Sequence, residues 1–525
     1  MRREFVFFCF FSVMTLLGLT YWNSKFIYGF YFILPILVFG FYDYFQTKHA
    51  IKRNFPILGR FRYWLEAIRP EIQQYFVENN TDGRPYTREQ RSLVYQRAKN
   101  NVDTLPFGTQ KDVYDVGYEW VKHSIKPTKV NSELLRVKIG GETCKQPYDA
   151  SIFNIAAMSF GSLSAAAVEA MNKGVAKADA YHNTGEGGLS PYHKQGGDVI
   201  FHFGTGYFGV RSPEGSLSVD KLVALVENNP CIKAIEIKLS QGAKPGKGGV
   251  LPGAKITAEI AEIRGVEIGK DVLSPSTHKA FDTVEELMEL IEVIADKTGL
   301  PVGIKGAIGK IDQWRALADI MVETGKGPDF ITVDGGEGGT GAAPPSFADH
   351  VSLPWVYGFS SLYKVFQKRN LVDRIVFVGS GKLGFPAKAA MAFAMGVDCI
   401  NVAREAMMSI GCIQAQICHT NKCPAGIATQ SKWRQSGISV PLKSDRLAQY
   451  FKTFRKELVE ITHAAGYEHP CQFNMHDIQV NVDDNDLTRN LRTTYGYNKS
   501  EVAFESMQHL INCEYLGGKN FSESV

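Results

Sequence analysis

The sequence has little charge of either sign in excess. Its 58 Lys and Arg against 54 Asp and Glu leave a net charge of +4 over 525 residues. That argues against a nucleic-acid binder, whose basic residues concentrate on one face. The chain also lacks a Walker-type G-x4-G-K-[ST] run, so a nucleoside triphosphate is not indicated. No G-x-G-x-x-G turn follows Ile152–Ala156, the first apolar run of the main body, which leads straight into Met158-Ser159-Phe160-Gly161. A dinucleotide-binding, doubly wound sheet wants that turn after an early strand. Nor does a small-residue cleavage site follow Thr20 at the end of the first apolar run, which argues against a cleaved signal peptide.

Apolar residues are abundant at the start. Phe5 to Trp22 carries no charge, Asn23-Ser24-Lys25 interrupts, and a second apolar run extends from Phe26 to Tyr42. Each run is near the length a helix needs to cross a bilayer. Tyr21, Trp22, Tyr28 and Tyr31 flank the break, where interfacial aromatics belong, and basic residues lie outside both ends (Arg2, Arg3; Lys48, Lys52, Arg53, Arg60, Arg62). The positive-inside rule then places both ends in the cytoplasm. Residues 1–45 are expected to form a transmembrane hairpin in the cytoplasmic (inner) membrane, with the body of the chain in the cytoplasm.

Residues 46–150 read as a charged lead-in segment, with a turn at Thr81-Asp82-Gly83-Arg84-Pro85 and a helix over Glu89 to Asn100. From 151 to 430 short apolar runs alternate with helical stretches. The runs are Ile152–Ala156, Ala178–His182, Val199–Phe203, Ala234–Leu239, Pro301–Ile304, Phe330–Val333, Arg374–Val378 and Cys399–Val402. Amphipathic stretches such as Ser164–Lys177, Val284–Lys297, Gln313–Glu323 and Pro386–Met395 lie between them. Strands alternating with helices predict a parallel sheet, and eight of them match a (β/α)8 TIM barrel in size. A doubly wound sheet is the alternative. Residues 431–525 form a partly helical extension in which Cys471 and Cys513 read as ordinary thiols.

The unusual residues gather where those strands end, which is where a barrel builds its active site. Of 50 glycines, many lie between 140 and 430, in turns such as NTGEGG (183–188) and DGGEGGTGAAP (334–344). Gly379-Ser380-Gly381-Lys382 follows the seventh run and Arg404 the eighth. Glycine-rich turns late in a barrel suit a phosphate, because backbone N–H groups approach it closely. Three of the nine cysteines, Cys412, Cys418 and Cys423, form a C-x5-C-x4-C run followed by Pro424. A structural zinc site closes with four ligands, whereas three thiolates and a following Pro resemble iron–sulfur ligation. Buried, inert thiols are the other reading of the same residues.

At this point the residues resemble the synthase domain of glutamate synthase. MSFGSLS (158–164) with NTGEGG, IKLSQGAKPGKGGVLPG (237–253), DGGEGGTGAAP and GCIQAQICHTNKCPAGIATQ (411–430) carry the likeness. The lead-in RPEIQQYFVENN with TDGRPYTREQRSLVYQRAKN (69–100) is similar to stand-alone, single-chain members. The resemblance implies an FMN-binding barrel with a [3Fe-4S] cluster on Cys412, Cys418 and Cys423. It implies Met158, Ser159 and Lys305 against the flavin, and Gly338, Gly339, Thr340, Gly341, Gly379 and Gly381 around its phosphate, with Asp334 and Arg404 alongside. Glu186, Lys238 and Gln241 would line the substrate pocket, with Lys244 and His202 beside them. A dicarboxylate needs cationic and amide donors, and Lys238, Gln241 and Lys244 supply them. Lys238 and Lys305 also read as solvated strand ends, and Glu186 as the ion-pair partner of one of them.

The implied reaction is reductive amination of 2-oxoglutarate to L-glutamate. Its partners would be a 2-oxo acid, ammonia or an amine, and an electron donor: a ferredoxin, a flavoprotein or a membrane carrier. The chain starts with an apolar hairpin instead of a glutaminase domain, so ammonia is expected free or from a separate glutaminase. His202 stands where the family pattern has Gln, and Lys247 where it often has Glu. These departures leave room for an N-methylglutamate synthase-like reaction, or for another FMN-barrel oxidoreductase of 2-oxo or 2-hydroxy acids.

Overall fold

The computed structural model describes residues 1–101, 104–128, 135–483 and 487–499; Cys513 lies outside them. The chain divides into two compact units, residues 1–90 and 91–525.

In the first unit, α1 (Arg2–Trp22) and α2 (Phe30–Phe45) flank a tight turn over Ser24–Gly29. Each helical arm is long and apolar enough to cross a membrane. The arms touch where glycine leaves room: a Cβ on Gly40 would lie 2.1 Å from the Phe5 ring, and one on Gly29 2.6 Å from Leu16. Two further helices follow, α3 (Ala50–Asn54) and α4 (Leu58–Ile72).

In the second unit the eight expected strands close into a parallel barrel. They are β1 (Phe153–Ile155), β2 (Tyr181–Asn183), β3 (Asp198–Phe203), β4 (Ile232–Lys238), β5 (Val302–Gly306), β6 (Phe330–Asp334), β7 (Val376–Ser380) and β8 (Cys399–Val402). Pairing runs in chain order, and β8 returns to β1 with Ile400 opposite Phe153. The strands are buried almost throughout because helices cover the outer face and side chains fill the inside. Two boundaries move for local reasons. The helix Ala165–Ala178 runs on until Asp179 stops it in a left-handed conformation (φ 51°), so β2 starts only at Tyr181. A 3₁₀ turn takes Val372–Arg374, so β7 starts at Val376.

Sequence signals account for the helix ends. Ser164 caps Ala165–Ala178. Thr283 and Glu286 form a capping box on Val284–Thr298, in which each side chain satisfies a backbone N–H of the other. Gly299, with φ 72°, closes that helix. The long helix Val440–Ala464 lies against Ala165–Ala178, and Gly174 permits the approach, since a Cβ there would stand 2.5 Å from Leu447. Phe454 stacks on Phe153 of β1 with centroids 3.7 Å apart. Glu119–Val121, ahead of the barrel, pairs antiparallel with Ile478–Asn481 behind it. The segments flanking the barrel therefore share one sheet.

Candidate active site

The C-terminal ends of β1 to β8 bring most of the expected residues to one mouth. Glu186, just past β2, and Lys238, the last residue of β4, meet at 2.6 Å. Glycines wall that carboxylate: a Cβ on Gly204 would lie 2.6 Å from Glu186 Oε2, and one on Gly249 2.2 Å from Oε1. Burial alone would raise the Glu186 carboxyl. Lys238, by charge and hydrogen bond, with His202 and Lys244 behind it, instead brings it below the usual range. Glu186 is therefore ionised at neutral pH and committed to Lys238.

Gln241 and Lys244 turn toward the glycine-rich loop after β6. Gln241 Nε2 donates to the Gly339 carbonyl (3.1 Å) and Lys244 Nζ to that of Ala342 (3.0 Å). Lys247 lies over the Phe347 ring at 5.0 Å. Lys305, buried at the end of β5, has Asp334 Oδ2 at 3.7 Å. Asp334 spends its oxygens on the backbone N–H of Gly242 (2.8 Å) and the Ser380 hydroxyl (3.0 Å). Asp334 is thus a brace between the turns after β4, β6 and β7. Gly242 is obligatory there, because its Cβ would fall 1.8 Å from the Gly335 carbonyl oxygen.

The late turns supply a recess. Arg404, just after β8, donates to the Glu337 carbonyl (2.7 Å), and a Cβ on Gly339 would meet its side chain at 2.8 Å. A Cβ on Gly381 would stand 2.6 Å from buried Trp355, whereas one on Gly341 would meet nothing within 4 Å. Thr340 beside it holds the Ala342 carbonyl loosely, at 3.4 Å. Gly338 lies in the turn after β6, and Gly379 is the penultimate residue of β7.

Beneath the mouth lies a polar layer of which sequence reasoning named only His202. Glu236 of β4 is buried and accepts from Asn183 of β2 (2.7 Å) and Thr332 of β6 (2.5 Å), and pairs with His202 Nδ1 of β3 (2.6 Å). Burial opposes its charge, but His202, Lys305 and Thr332 hold the carboxyl down at about 2. Burial depresses His202 as well, so the pair at neutral pH is a carboxylate beside a neutral imidazole. The signal was present in the sequence: a lone acid in the apolar strand Ala-Ile-Glu-Ile can only point into the barrel or out to its helices.

The cysteine loop adjoins the turn after β1. Gln430 Nε2 donates to the carbonyls of Gly161 (3.1 Å) and Leu163 (2.9 Å), and Lys255 Nζ donates to that of Ser162 (2.7 Å). On the other side Arg264 reaches Ser159 Oγ (3.2 Å) and the Phe160 carbonyl (3.0 Å), while Met158 is buried behind. Within the loop, Gln414, Gln416 and Asn421 take left-handed conformations, and Asn421 Oδ1 accepts the Gln430 N–H at 2.6 Å. Burial, with Cys418 and Cys423 nearby, pushes the Cys412 thiol up to about 12. Among the described residues no three His, Cys, Asp or Glu side chains converge on one point as a mononuclear metal would need. A multi-iron cluster sets a different requirement, since its thiolates bind separate irons.

A cleft of about 510 Å³ lined by His476, Arg492 and Tyr497 lies elsewhere. Tyr497 bonds to the Met395 carbonyl at the end of helix Pro386–Met395, which is the end of the barrel where β8 begins. It is remote from the convergent charges.

The family model described as the conserved region in glutamate synthase matches residues 88–468. The chain is 36% identical over 499 residues to the glutamate synthase large subunit-like protein YerD of Bacillus subtilis (strain 168), covering 86% of this chain and 94% of that one. It is 34% identical over 313 residues to the archaeal-type glutamate synthase [NADPH] of Thermotoga neapolitana, covering 59% and 58%. The chain thus spans nearly all of the first relative and rather over half of the second. A solved mandelate oxidase variant aligns with a TM-score of 0.39 and 14% identity over 67% of this chain and 83% of that one; the barrel assignment rests on strand pairing alone. By the reach of the family model and the near full-length likeness to YerD, the chain belongs to the glutamate synthase family, oxidoreductases of the CH–NH2 class.

Proposed function

We propose that this chain is a membrane-anchored, FMN- and [3Fe-4S]-dependent oxidoreductase that aminates 2-oxoglutarate reductively to L-glutamate. The observation that carries the reading is that Gln430 ties the cysteine loop to the turn after β1, the same turn that Lys255 holds at Ser162 and that packs at Ser159 against Gly185 and Gly187 on either side of Glu186. Two features fit the groups implied. The turns after β6 and β7, open at Gly341 and backed by Arg404, suit a phosphate. Lys255 is buried, which opposes its charge, while the sulfurs of Cys418 and Cys423 favour it, and no salt bridge to a carboxylate is found for it among the described residues. A buried ammonium without a counter-ion is costly, so a wall of this kind fits metal-bound thiolates, which carry the negative charge.

In this reading Cys412, Cys418 and Cys423 hold the cluster. Met158, Ser159 and Lys305 meet the flavin ring, and Asp334 braces the turns around it. Gly338, Gly339, Thr340, Gly341, Gly379, Gly381 and Arg404 take the phosphate. When bound, FMN supplies hydride transfer and the cluster supplies one-electron relay. Lys238 gives a substrate carboxylate its positive charge, and ionised Glu186 beside it accepts a proton from the substrate nitrogen and returns it later in the cycle. Gln241 and Lys244 fix the loop over 339–342 and so keep its shape. Oxidation of a 2-hydroxy acid would leave the cysteine loop without a task. Electrons and ammonia come from partners, a ferredoxin, flavoprotein or membrane carrier for the first and a separate glutaminase or free ammonia for the second. The two apolar arms anchor the chain in the cytoplasmic membrane with the barrel in the cytoplasm.

The test is anaerobic. Flavin in the purified protein is photoreduced and mixed with 2-oxoglutarate and ammonium, or with methylamine in its place. Fast return of the flavin absorbance only when oxo acid and ammonium are both present is expected. Return with methylamine alone as the nitrogen source would move the assignment to N-methylglutamate, and no return with any pair would refute it.

A further inference from the structure

Beyond the two arms, the first unit carries a helix whose apolar side is largely exposed among the described residues. In α4 the apolar residues Leu58, Phe61, Leu65, Ile68 and Ile72 recur at i, i+3, i+7, i+10 and i+14, a single stripe on a helix. Leu58, Phe61, Trp64, Leu65 and Ile72 are 39–61% exposed. Arg62 and Arg69 edge the stripe. The opposite side is occupied, since Tyr63 packs on the His49 ring (4.9 Å) and under the Lys52 ammonium (4.5 Å) of the α3 segment.

The start of α4 is tied to the end of α2. Asp43, in the last turn of α2 and fully buried, accepts from Arg60 Nε (2.7 Å) and Nη2 (2.9 Å) and from the Ile57 N–H (3.2 Å). Ile57 takes a φ of 65° to make that turn, a conformation costly for a β-branched residue. Gly59 lets α4 cross α3 closely, because a Cβ there would meet Lys52 Cα at 2.8 Å. An elbow this specified fixes where α4 begins, at the polar end of a membrane-length arm.

We propose that α4 lies in the membrane interface, its apolar stripe among the acyl chains and Lys48, Arg53, Arg62 and Arg69 against anionic lipid headgroups. The occupant follows from position and charge. A stripe that starts level with the end of a span meets lipid first, and a basic border fits an anionic leaflet. The proposal rests on the membrane reading of α1 and α2.

The experiment uses the full chain in vesicles of phosphatidylcholine with phosphatidylglycerol. A photo-crosslinking amino acid is placed in turn at Phe61, Leu65, Glu66 and Val38. Lipid adducts at Phe61, Leu65 and Val38 but not at Glu66 are expected, with severalfold lower yield at Phe61 in phosphatidylcholine alone. Adducts at Val38 with none at Phe61 and Leu65 overturn the interfacial helix while leaving the anchor. Protein adducts at Phe61 and Leu65 in place of lipid also overturn it, making the stripe a protein-docking face. Absence of lipid adducts at Val38 refutes the anchor and the inference together. Equal yields in the two lipids overturn the anionic preference.

Discussion

Replacing Lys238 by Met tests the centre of the site most directly. The two groups of the Glu186–Lys238 pair are 2.6 Å apart with side chains 20% and 10% exposed. At an effective dielectric constant of about 20 the direct attraction is about 6 kcal/mol. Breaking one side of such a buried pair costs about 3–5 kcal/mol once relaxation is allowed. Without Lys238 the burial of Glu186 is no longer outweighed, so its folded pKa moves from below the usual carboxylate value to above it. The sign of the pH dependence then reverses. In the parent protein Glu186 adds stability above its unfolded pKa, lost as pH falls through the folded one. In Lys238→Met the carboxyl is easiest to bury when protonated, and stability is lost as pH rises through its raised folded pKa.

The melting-temperature gap between parent and variant should therefore widen from mildly acidic to mildly alkaline pH. At about 2 cal/mol/K per residue, a unit of residues 91–525 shifts by about 1 °C per kcal/mol, so a gap of about 3–5 °C is expected at neutral pH. Adding Glu186→Gln to Lys238→Met should recover much of it. A double-mutant cycle with a coupling below about 0.5 kcal/mol, or a gap independent of pH, would refute the account.

Two further substitutions probe the floor and the loop. Glu236→Gln removes a carboxylate held at about 2, well below its ordinary 4.5, a difference of about 3 kcal/mol. Its loss of melting temperature should be full above pH 4.5 and shrink as pH falls toward 2; a gap that grows on acidification contradicts the layer described. Cys418→Ser should lose iron while keeping flavin absorbance, measured by metal analysis and visible spectra on one sample. Retention of iron at the parent stoichiometry rules out the cluster assignment.

The barrel was legible because each strand is an apolar run bounded by helix signals, and closure needs only the count and order of such runs. The boundaries that moved were decided by backbone ends, Asp179 for β2 and the turn over Val372–Arg374 for β7, which periodicity does not report. The mouth was legible in composition, since Glu186, Lys238, Lys305 and the glycine turns all follow strand ends. Their division of labour was not. Nothing in the order Lys238, Gln241, Lys244 says that the first pairs with Glu186 while the others hold backbone carbonyls of another loop. The shared sheet of Glu119–Val121 and Ile478–Asn481 was equally hidden, because pairing across the whole barrel leaves no local trace.

The polar floor bears on what the mouth recognises. His202 of β3 sits in this floor, and its Nδ1 lies 2.6 Å from Glu236. A carboxylate held at about 2 is ionised at neutral pH, so it accepts, and Nδ1 must carry the proton. Burial keeps the ring neutral, which leaves Nε2 as an acceptor alone. An amide at that position offers both a donor and an acceptor; this imidazole offers no donor once Nδ1–H is spent on Glu236. Any group it meets must bring its own proton. An amine or iminium N–H satisfies that condition, and a second carboxylate oxygen does not. On the proposed function, positive charge for the substrate's carboxylates comes from Lys238, which shares its ammonium with Glu186, while Lys244 is held by a loop carbonyl. On that function, the neutral His202 ring then favours the nitrogen-bearing end of the substrate over a second carboxylate oxygen.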